Sequence, residues 1–200
     1  MNTQNNNIAP ASSDRSDEEI IAATQKWVER AVIGLNLCPF AKAVQVKKQI
    51  RYVVSSATSV EDLMRDLIHE LEKLAETSPE KIDTTLLIHP YVLTDFLDYN
   101  DFLDIVDELL EEINLAGELQ VASMHPQYQF ADTHENDIDN YTNRSPYPTL
   151  HLLREASVDQ AVAAFPEAEK IFEKNIETMR KLGHDGWDRL WRDPAEDGKK

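Results

Sequence analysis

The sequence predicts an α/β domain with a small, mixed, mostly parallel four-stranded sheet covered by helices. Four short runs rich in apolar residues are typical of strands, and two of them end in a His-Pro pair. Segments with apolar residues at helical spacing separate the first three of these runs. A chain of 200 residues, 42% of them hydrophobic, suits a single core. The predicted order is β-α-β-α-β-β-α after an N-terminal helix.

The helices are predicted from apolar periodicity and from two capping boxes. Ser16-Asp-Glu-Glu19 and Thr58-Ser-Val-Glu61 have the residue types that satisfy free backbone amides at a helix start. Gly117 is the expected left-handed cap of the third long helix. The predicted helices span 16–35, 39–46, 58–77, 95–114, 157–165 and 166–182.

The strands are predicted at 50–55, 84–89, 119–125 and 149–154. Helical connections between neighbouring strands return the chain in the same direction, so the first three strands should be parallel. The fourth strand follows a long loop without a crossover helix, and we expect it to lie antiparallel beside the third.

The two ends of the chain differ in composition from the rest. Residues 1–15 are rich in Asn, Ser and Ala, so they bury too little apolar surface to offset the entropy of ordering. We predict a disordered tail over 1–15, a single globular domain over 16–192 and a flexible C-terminal tail over 193–200.

The charge balance argues against several classes of partner. Asp and Glu number 37 against 20 Lys and Arg, a formal net charge of −17. This charge repels nucleic-acid phosphates and anionic lipid surfaces, so neither nucleic acid nor membrane is expected as a partner. A single cysteine forms no intramolecular disulfide, and no apolar run reaches the ~18 residues of a membrane span. A cytoplasmic location is expected.

Histidines follow two of the predicted strands. His89 and His125 each stand directly before a proline, at the carboxyl end of an apolar run. If the strands are parallel, both imidazoles lie at the edge where open α/β sheets bind ligands. An antiparallel fourth strand would bring His151 towards His125, so that three imidazoles could converge.

Such a cluster has three interpretations. Three imidazoles with an open position could hold one divalent transition metal, zinc or, with a carboxylate, iron, so His89, His125 and His151 are candidate ligands. One imidazole could instead act as a general base. Each His-Pro pair could also simply end its strand, with the ring bonded to a loop carbonyl.

Cys38 is the candidate nucleophile. If Pro39 begins a short helix, Cys38 is its N-cap, where backbone amides and the helix dipole favour the thiolate. The alternative is a buried, inert thiol behind Leu37 and Phe40.

The long loop 126–147 carries candidate substrate-binding residues. Prolines at 146 and 148 restrict the backbone, so Asn143, Arg144 and Tyr147 should be presented at low entropic cost. Tyr141 is a further candidate. Arg144 would clamp an anion, or else form a salt bridge with a loop carboxylate.

Several blocks together resemble one family of bacterial proteins known as domain of unknown function 1415. The resemblance covers about Trp27 to Trp187 and includes Cys38, His89, His125, Arg144 and His151. It implies a bacterial protein but no mechanism. The blocks are WVERAVIGLNLCPFAK, TTLLIHP, DFLDYNDFLD, VASMHPQYQF, NYTNRSPYPTLHLLREAS and LGHDGW.

Two functions follow as hypotheses. The first is an enzyme, a hydrolase or transferase, that acts on a small polar or anionic metabolite at the carboxyl edge of the sheet. His125 and His151 would serve as acid, base or metal ligands, and Cys38 as nucleophile. The second is a non-enzymatic adaptor that binds a protein partner through the acidic helix 95–114 and the loop 126–147.

Overall fold

The computed structural model describes residues 15–165 and 167–192, and the predicted tails fall outside these residues except for Arg15. The described chain contains one four-stranded sheet, and all four strands lie where the apolar runs predicted them. They are β1 (Ile50–Val54), β2 (Thr84–Ile88), β3 (Leu119–Met124) and β4 (Thr149–Arg154).

The spatial order of the strands is β1-β2-β4-β3. β1 and β2 are parallel, and β4 is antiparallel to both of its neighbours, β2 and β3. Thus β1, β2 and β3 run in one direction, as predicted, but β4 is inserted between β2 and β3. Its central place agrees with the burial of Thr149, Leu150 and Leu152. The predicted small mixed sheet covered by helices is confirmed.

Six α-helices surround the sheet in the described chain. A π-helical turn, Val28–Ile33, directly continues the first of them, and 3-10 turns occupy Ile138–Asn143 and Ala168–Lys170. The helices are α1 (Asp17–Trp27), α2 (Ala41–Val46), α3 (Val60–Glu76), α4 (Phe96–Glu112), α5 (Glu155–Ala164) and α6 (Ile171–Leu190). The last helix bends at Gly183, whose φ of 63° and ψ of 175° suit glycine.

Local capping chemistry explains most of the helix starts. The capping box at Ser16 is present as predicted. The capping box predicted at Thr58 is wrong: the N-cap of α3 is Ser59, whose hydroxyl accepts the backbone N–H of Asp62. The left-handed residue that follows α4 is Asn114, with φ of 57°, while Gly117 lies in the turn into β3.

The sheet separates two hydrophobic clusters. On one face, α3 and α4 pack their apolar stripes against β2 and β4, and each buried leucine contributes ~1.5–3 kcal/mol. On the other face, α1, the π-helical turn and α6 pack around Trp27, Leu86 and Trp187. Leucines buried on the first face are Leu63, Leu67, Leu71, Leu74, Leu87, Leu150 and Leu152.

None of the described helices is both long and apolar enough to cross a membrane.

Candidate functional site

His89 lies at the carboxyl end of β2, fully buried on the face covered by α3 and α4. Its Nδ1–H donates to the carbonyl of Val92 at 3.0 Å, and its ring stacks on Tyr99 with centroids 5.6 Å apart. Its Nε2 has no partner in the described part of the chain. Burial lowers the pKa of His89 to about 4, so the ring is neutral at pH 7.

His125 lies nearby at the end of β3 and uses both ring nitrogens. Nε2–H donates to the carbonyl of Leu93 at 3.3 Å, and Nδ1 accepts the backbone N–H of Gln127 at 3.0 Å. The ring also packs against Phe96 and Tyr99. Burial lowers the pKa of His125 to about 4. This arrangement matches the strand-ending interpretation, because the imidazole holds the loops around it in place.

Arg144 is buried and ties the long loop together. Its guanidinium donates to the backbone carbonyls of Tyr128 at 3.1 Å and Glu135 at 2.6 Å, and lies 4.4 Å from the centre of the Tyr141 ring. It forms no ion pair with a carboxylate among the residues described, so the predicted loop salt bridge is wrong. Burial lowers the pKa of Arg144.

The other candidates in this loop are also occupied within the protein. Tyr141 packs against Trp187, and the Tyr147 hydroxyl accepts a hydrogen bond from Arg15 at 2.7 Å. The Asn143 amide donates to the Ser123 carbonyl at 3.5 Å. Tyr141, Arg144 and Tyr147 are at most 6% exposed, so these side chains are directed into the protein in the unbound state. Their predicted role in substrate binding stays a prediction.

His151 lies on the opposite face of the sheet from His89 and His125. It pairs in register with Leu86 and Ala122, and side chains alternate between faces along a strand. His89 follows the phase of Leu87, which faces α3 and α4, whereas His151 follows that of Leu86. The predicted convergence of three imidazoles is therefore wrong.

Because the three imidazoles do not converge, the hypothesis of a three-histidine metal site has no geometric support. Within 15–165 and 167–192, no group of three or more His, Cys, Asp or Glu side chains is arranged to hold a metal ion.

His151 instead faces a cavity of about 320 Å³, here called the inner cavity. The His151 ring forms no hydrogen bond with any described residue. Burial lowers its pKa to about 4, which keeps the imidazole neutral. The walls are otherwise largely apolar and include Trp27, Val28, Val32, Cys38, Phe40, Val44, Leu86, Ala122, Met124, Leu153, Val158 and Ala161.

Cys38 lines the same cavity. Its thiol is free and partly exposed, so it is not the fully buried thiol of the inert alternative. It is also not a helix N-cap: α2 begins at Ala41 with Phe40 as its cap, and Cys38 only accepts the Ala41 N–H at 3.3 Å through its carbonyl. The predicted stabilisation of the thiolate by a helix dipole is therefore wrong.

The π-helical turn shapes the wall behind Cys38. The Val32 carbonyl accepts the N–H of Leu37 at 2.9 Å, the wider spacing that closes a π-helical turn. Val28 and Val32 on this turn, and Trp27 directly before it, line the inner cavity. Such turns are rare and are frequent at functional sites. Neither the turn nor the cavity leaves a recognisable pattern of residues, so neither could be predicted from the sequence.

A second depression of about 920 Å³, here called the outer groove, adjoins the inner cavity at the amino edge of β2. It is more polar. Arg154 donates to the carbonyls of Leu74, Thr77 and Ile82 around the end of α3. The polar lining residues are Lys47, Gln49, Glu80, Asp83, Glu118, Arg154, Ser157 and Gln160.

Comparison with known proteins yields one match. The family model described as Protein of unknown function (DUF1415) matches residues 19–189. No curated protein and no solved structure matches the chain significantly. The matched residues include the inner cavity, Cys38, His151 and the histidines at the carboxyl edge. The chain therefore belongs to the DUF1415 family.

Proposed function

We propose that this protein binds a small, largely apolar molecule in the inner cavity and hydrogen-bonds one polar group of that molecule through His151. The observation that carries the proposal is the unpaired imidazole of His151 in an apolar cavity. The His151 side chain is partly exposed, so solvent reaches the ring in the unbound protein. A ligand with a matching polar group would replace that solvent, and the apolar walls around the ring would strengthen the hydrogen bond.

The dimensions and chemistry of the cavity support a ligand of limited size. A volume of about 320 Å³ holds about ten water-sized groups at roughly 30 Å³ each. A neutral imidazole offers one donor and one acceptor, so alcohols, phenols and amides all suit it. The lining has few charged groups, so this proposal replaces the expected polar or anionic metabolite with an apolar one.

A pair of probes of equal shape tests the role of His151. p-Cresol and p-xylene differ by a hydroxyl in place of a methyl group, and calorimetry gives the affinity of each. His151→Phe keeps an aromatic ring but removes the nitrogens, so it should weaken p-cresol about tenfold and leave p-xylene nearly unchanged.

The control is His69→Phe, which changes an exposed histidine on α3. It should alter neither affinity. If wild-type protein binds neither probe, or if His151→Phe weakens both equally, the proposal is wrong.

A thiol enzyme is the second candidate, favoured by the free Cys38 on the wall of the same cavity. Cys38 would attack an acyl carbonyl, release the leaving group and form a thioester, which water would then hydrolyse. His151 would accept the thiol proton and return it to the leaving group. We place this second because an imidazole with a pKa of about 4 is a weak base.

Turnover of 4-nitrophenyl hexanoate tests this candidate. A burst of about one nitrophenolate per chain that Cys38→Ser abolishes would support it. Equal hydrolysis by wild type and Cys38→Ser would eliminate it and leave the binding function intact.

A further inference from the structure

The register of the sheet shows the order in which residues line the inner cavity along the strands. Met124 lies at the carboxyl end of β3, and Ala122, paired with His151, is two residues closer to the amino edge. Gln120, paired with Leu153, lies another two residues along. All five residues line the inner cavity, so His151 stands between the Met124 end and the Gln120 end of the cavity.

The Gln120 end of the inner cavity, at the amino edge of β2, adjoins the outer groove. Five residues line both spaces: Phe40, Val44, Asp83, Ser157 and Ala161. At this junction the Ser157 hydroxyl donates to the Asp83 carboxylate at 2.7 Å. The chemistry of the walls changes here, from mostly apolar to polar with both signs of charge.

The charges in the outer groove do not favour an anion. Glu80, Asp83 and Glu118 stand against Lys47 and Arg154, and the Arg154 guanidinium already donates to three backbone carbonyls. A head with several uncharged hydrogen-bonding groups matches this mixture of donors and acceptors.

We infer that the ligand is amphipathic: an apolar group fills the Met124 end of the inner cavity, a hydrogen-bonding link lies at His151, and a polar, uncharged head occupies the outer groove. This inference rests on the proposed function and extends it to a class of ligand. Acyl amides, esters and ethers of polyhydroxylated heads belong to this class.

Two amides with the same hexanoyl tail test the inference by calorimetry on the full chain. N-Methylhexanamide reaches only the inner cavity, whereas N-(2,3-dihydroxypropyl)hexanamide adds two hydroxyl groups that extend to the outer groove. Wild-type protein should bind the second amide about threefold or more tightly than the first, the effect of one added hydrogen bond.

Three alanine-to-leucine variants locate each part of the ligand. Ala122→Leu fills the inner cavity and should weaken both amides about tenfold. Ala164→Leu narrows only the outer groove and should abolish the advantage of the dihydroxypropyl amide without weakening the methyl amide. Ala163→Leu, one residue away and outside both linings, should change neither affinity.

Val158→Phe fills the inner cavity from α5 and replaces Ala122→Leu if that variant does not fold. Binding of the methyl amide without any advantage for the dihydroxypropyl amide would overturn the inference but leave the proposed function standing. An advantage that survives Ala164→Leu would do the same. Failure of wild-type protein to bind either amide would overturn both.

Discussion

The two faces of the sheet treat their histidines in opposite ways. On the face of α3 and α4, His125 uses both ring nitrogens, and His89 uses one, to hold backbone groups of neighbouring loops. On the other face, His151 forms no hydrogen bond with a described residue and borders a cavity. Equal depression of the pKa of all three rings therefore does not mean equal roles. Bonding partners separate a structural imidazole from a candidate binding group.

Acidification should cause the largest loss of stability, because it protonates histidines on both faces of the sheet. The pKa of each ring is about 4 when folded, below the ordinary value of 6.5, so the unfolded chain takes up protons first as the pH falls. Stability from the three rings is complete above pH 6.5 and is lost between pH 6.5 and 4. Between pH 7.5 and 5 each ring should cost ~2 kcal/mol, and the three together ~6 kcal/mol.

Urea unfolding at pH 7.5 and pH 5 measures this loss. His151→Phe should lose ~2 kcal/mol less than wild type over the same interval, since one of the titrating rings is gone. An identical loss in the two proteins would show that the pKa of His151 is not lowered in the folded protein.

Removal of single imidazole rings at pH 7.5 should destabilise the protein more on one face of the sheet than on the other. His89→Ala leaves a hole in the core and an unpaired Val92 carbonyl, so it should destabilise the protein by ~3 kcal/mol. His151→Ala enlarges a cavity that already exists and breaks no hydrogen bond, so its cost should stay below ~1 kcal/mol. Equal costs in urea unfolding would refute the contrast between the faces.

The variant Arg144→Leu tests whether the structure of the loop 126–147 affects binding in the inner cavity. Arg144→Leu removes the donors to Tyr128 and Glu135 and should cost ~2 kcal/mol. Limited proteolysis should then cut within 128–135 faster than in wild type, while p-cresol affinity stays the same. A loss of p-cresol binding in a folded variant would instead connect this loop to the inner cavity.

The smallest loss of stability is expected from a change in α5, which has no buried residues and lines the inner cavity. Ser157→Ala removes the hydroxyl that donates to Asp83, at a cost of ~1 kcal/mol. Amide hydrogen exchange should accelerate in α5 and stay unchanged in α3, which buries Leu63, Leu67 and Leu71. Uniform acceleration in both helices would show that α5 opens only with the whole domain.

Much of the fold could be predicted because its signals are local. The four strands appear as short apolar runs, and the start of α1 at Ser16 appears as a capping box. The insertion of β4 between β2 and β3 could not be predicted, since pairing partners are set by packing across the whole domain. That single pairing decides the register of His151.

The arrangement of the candidate site likewise could not be predicted from local sequence signals. Cys38, His125 and His151 could be singled out as reactive residue types, but the grouping depended on which face each side chain occupies. His89 lies in phase with Leu87, and His151 pairs with Leu86, one residue away, which places the two rings on opposite faces. The inner cavity depends on a π-helical turn and on the volumes of several distant side chains, which no local pattern encodes.

The place of β4 also dictates the order in which the sheet can assemble. β3 has no direct strand neighbour in the sheet except β4, so residues 119–124 stay unpaired until residues 149–154 arrive. During synthesis, β2 likewise keeps one edge unpaired after α4, the helix that follows it, has been made. Until residue 154 has been made, β2 and β3 therefore each expose a strand edge that β4 later covers, and exposed strand edges favour aggregation.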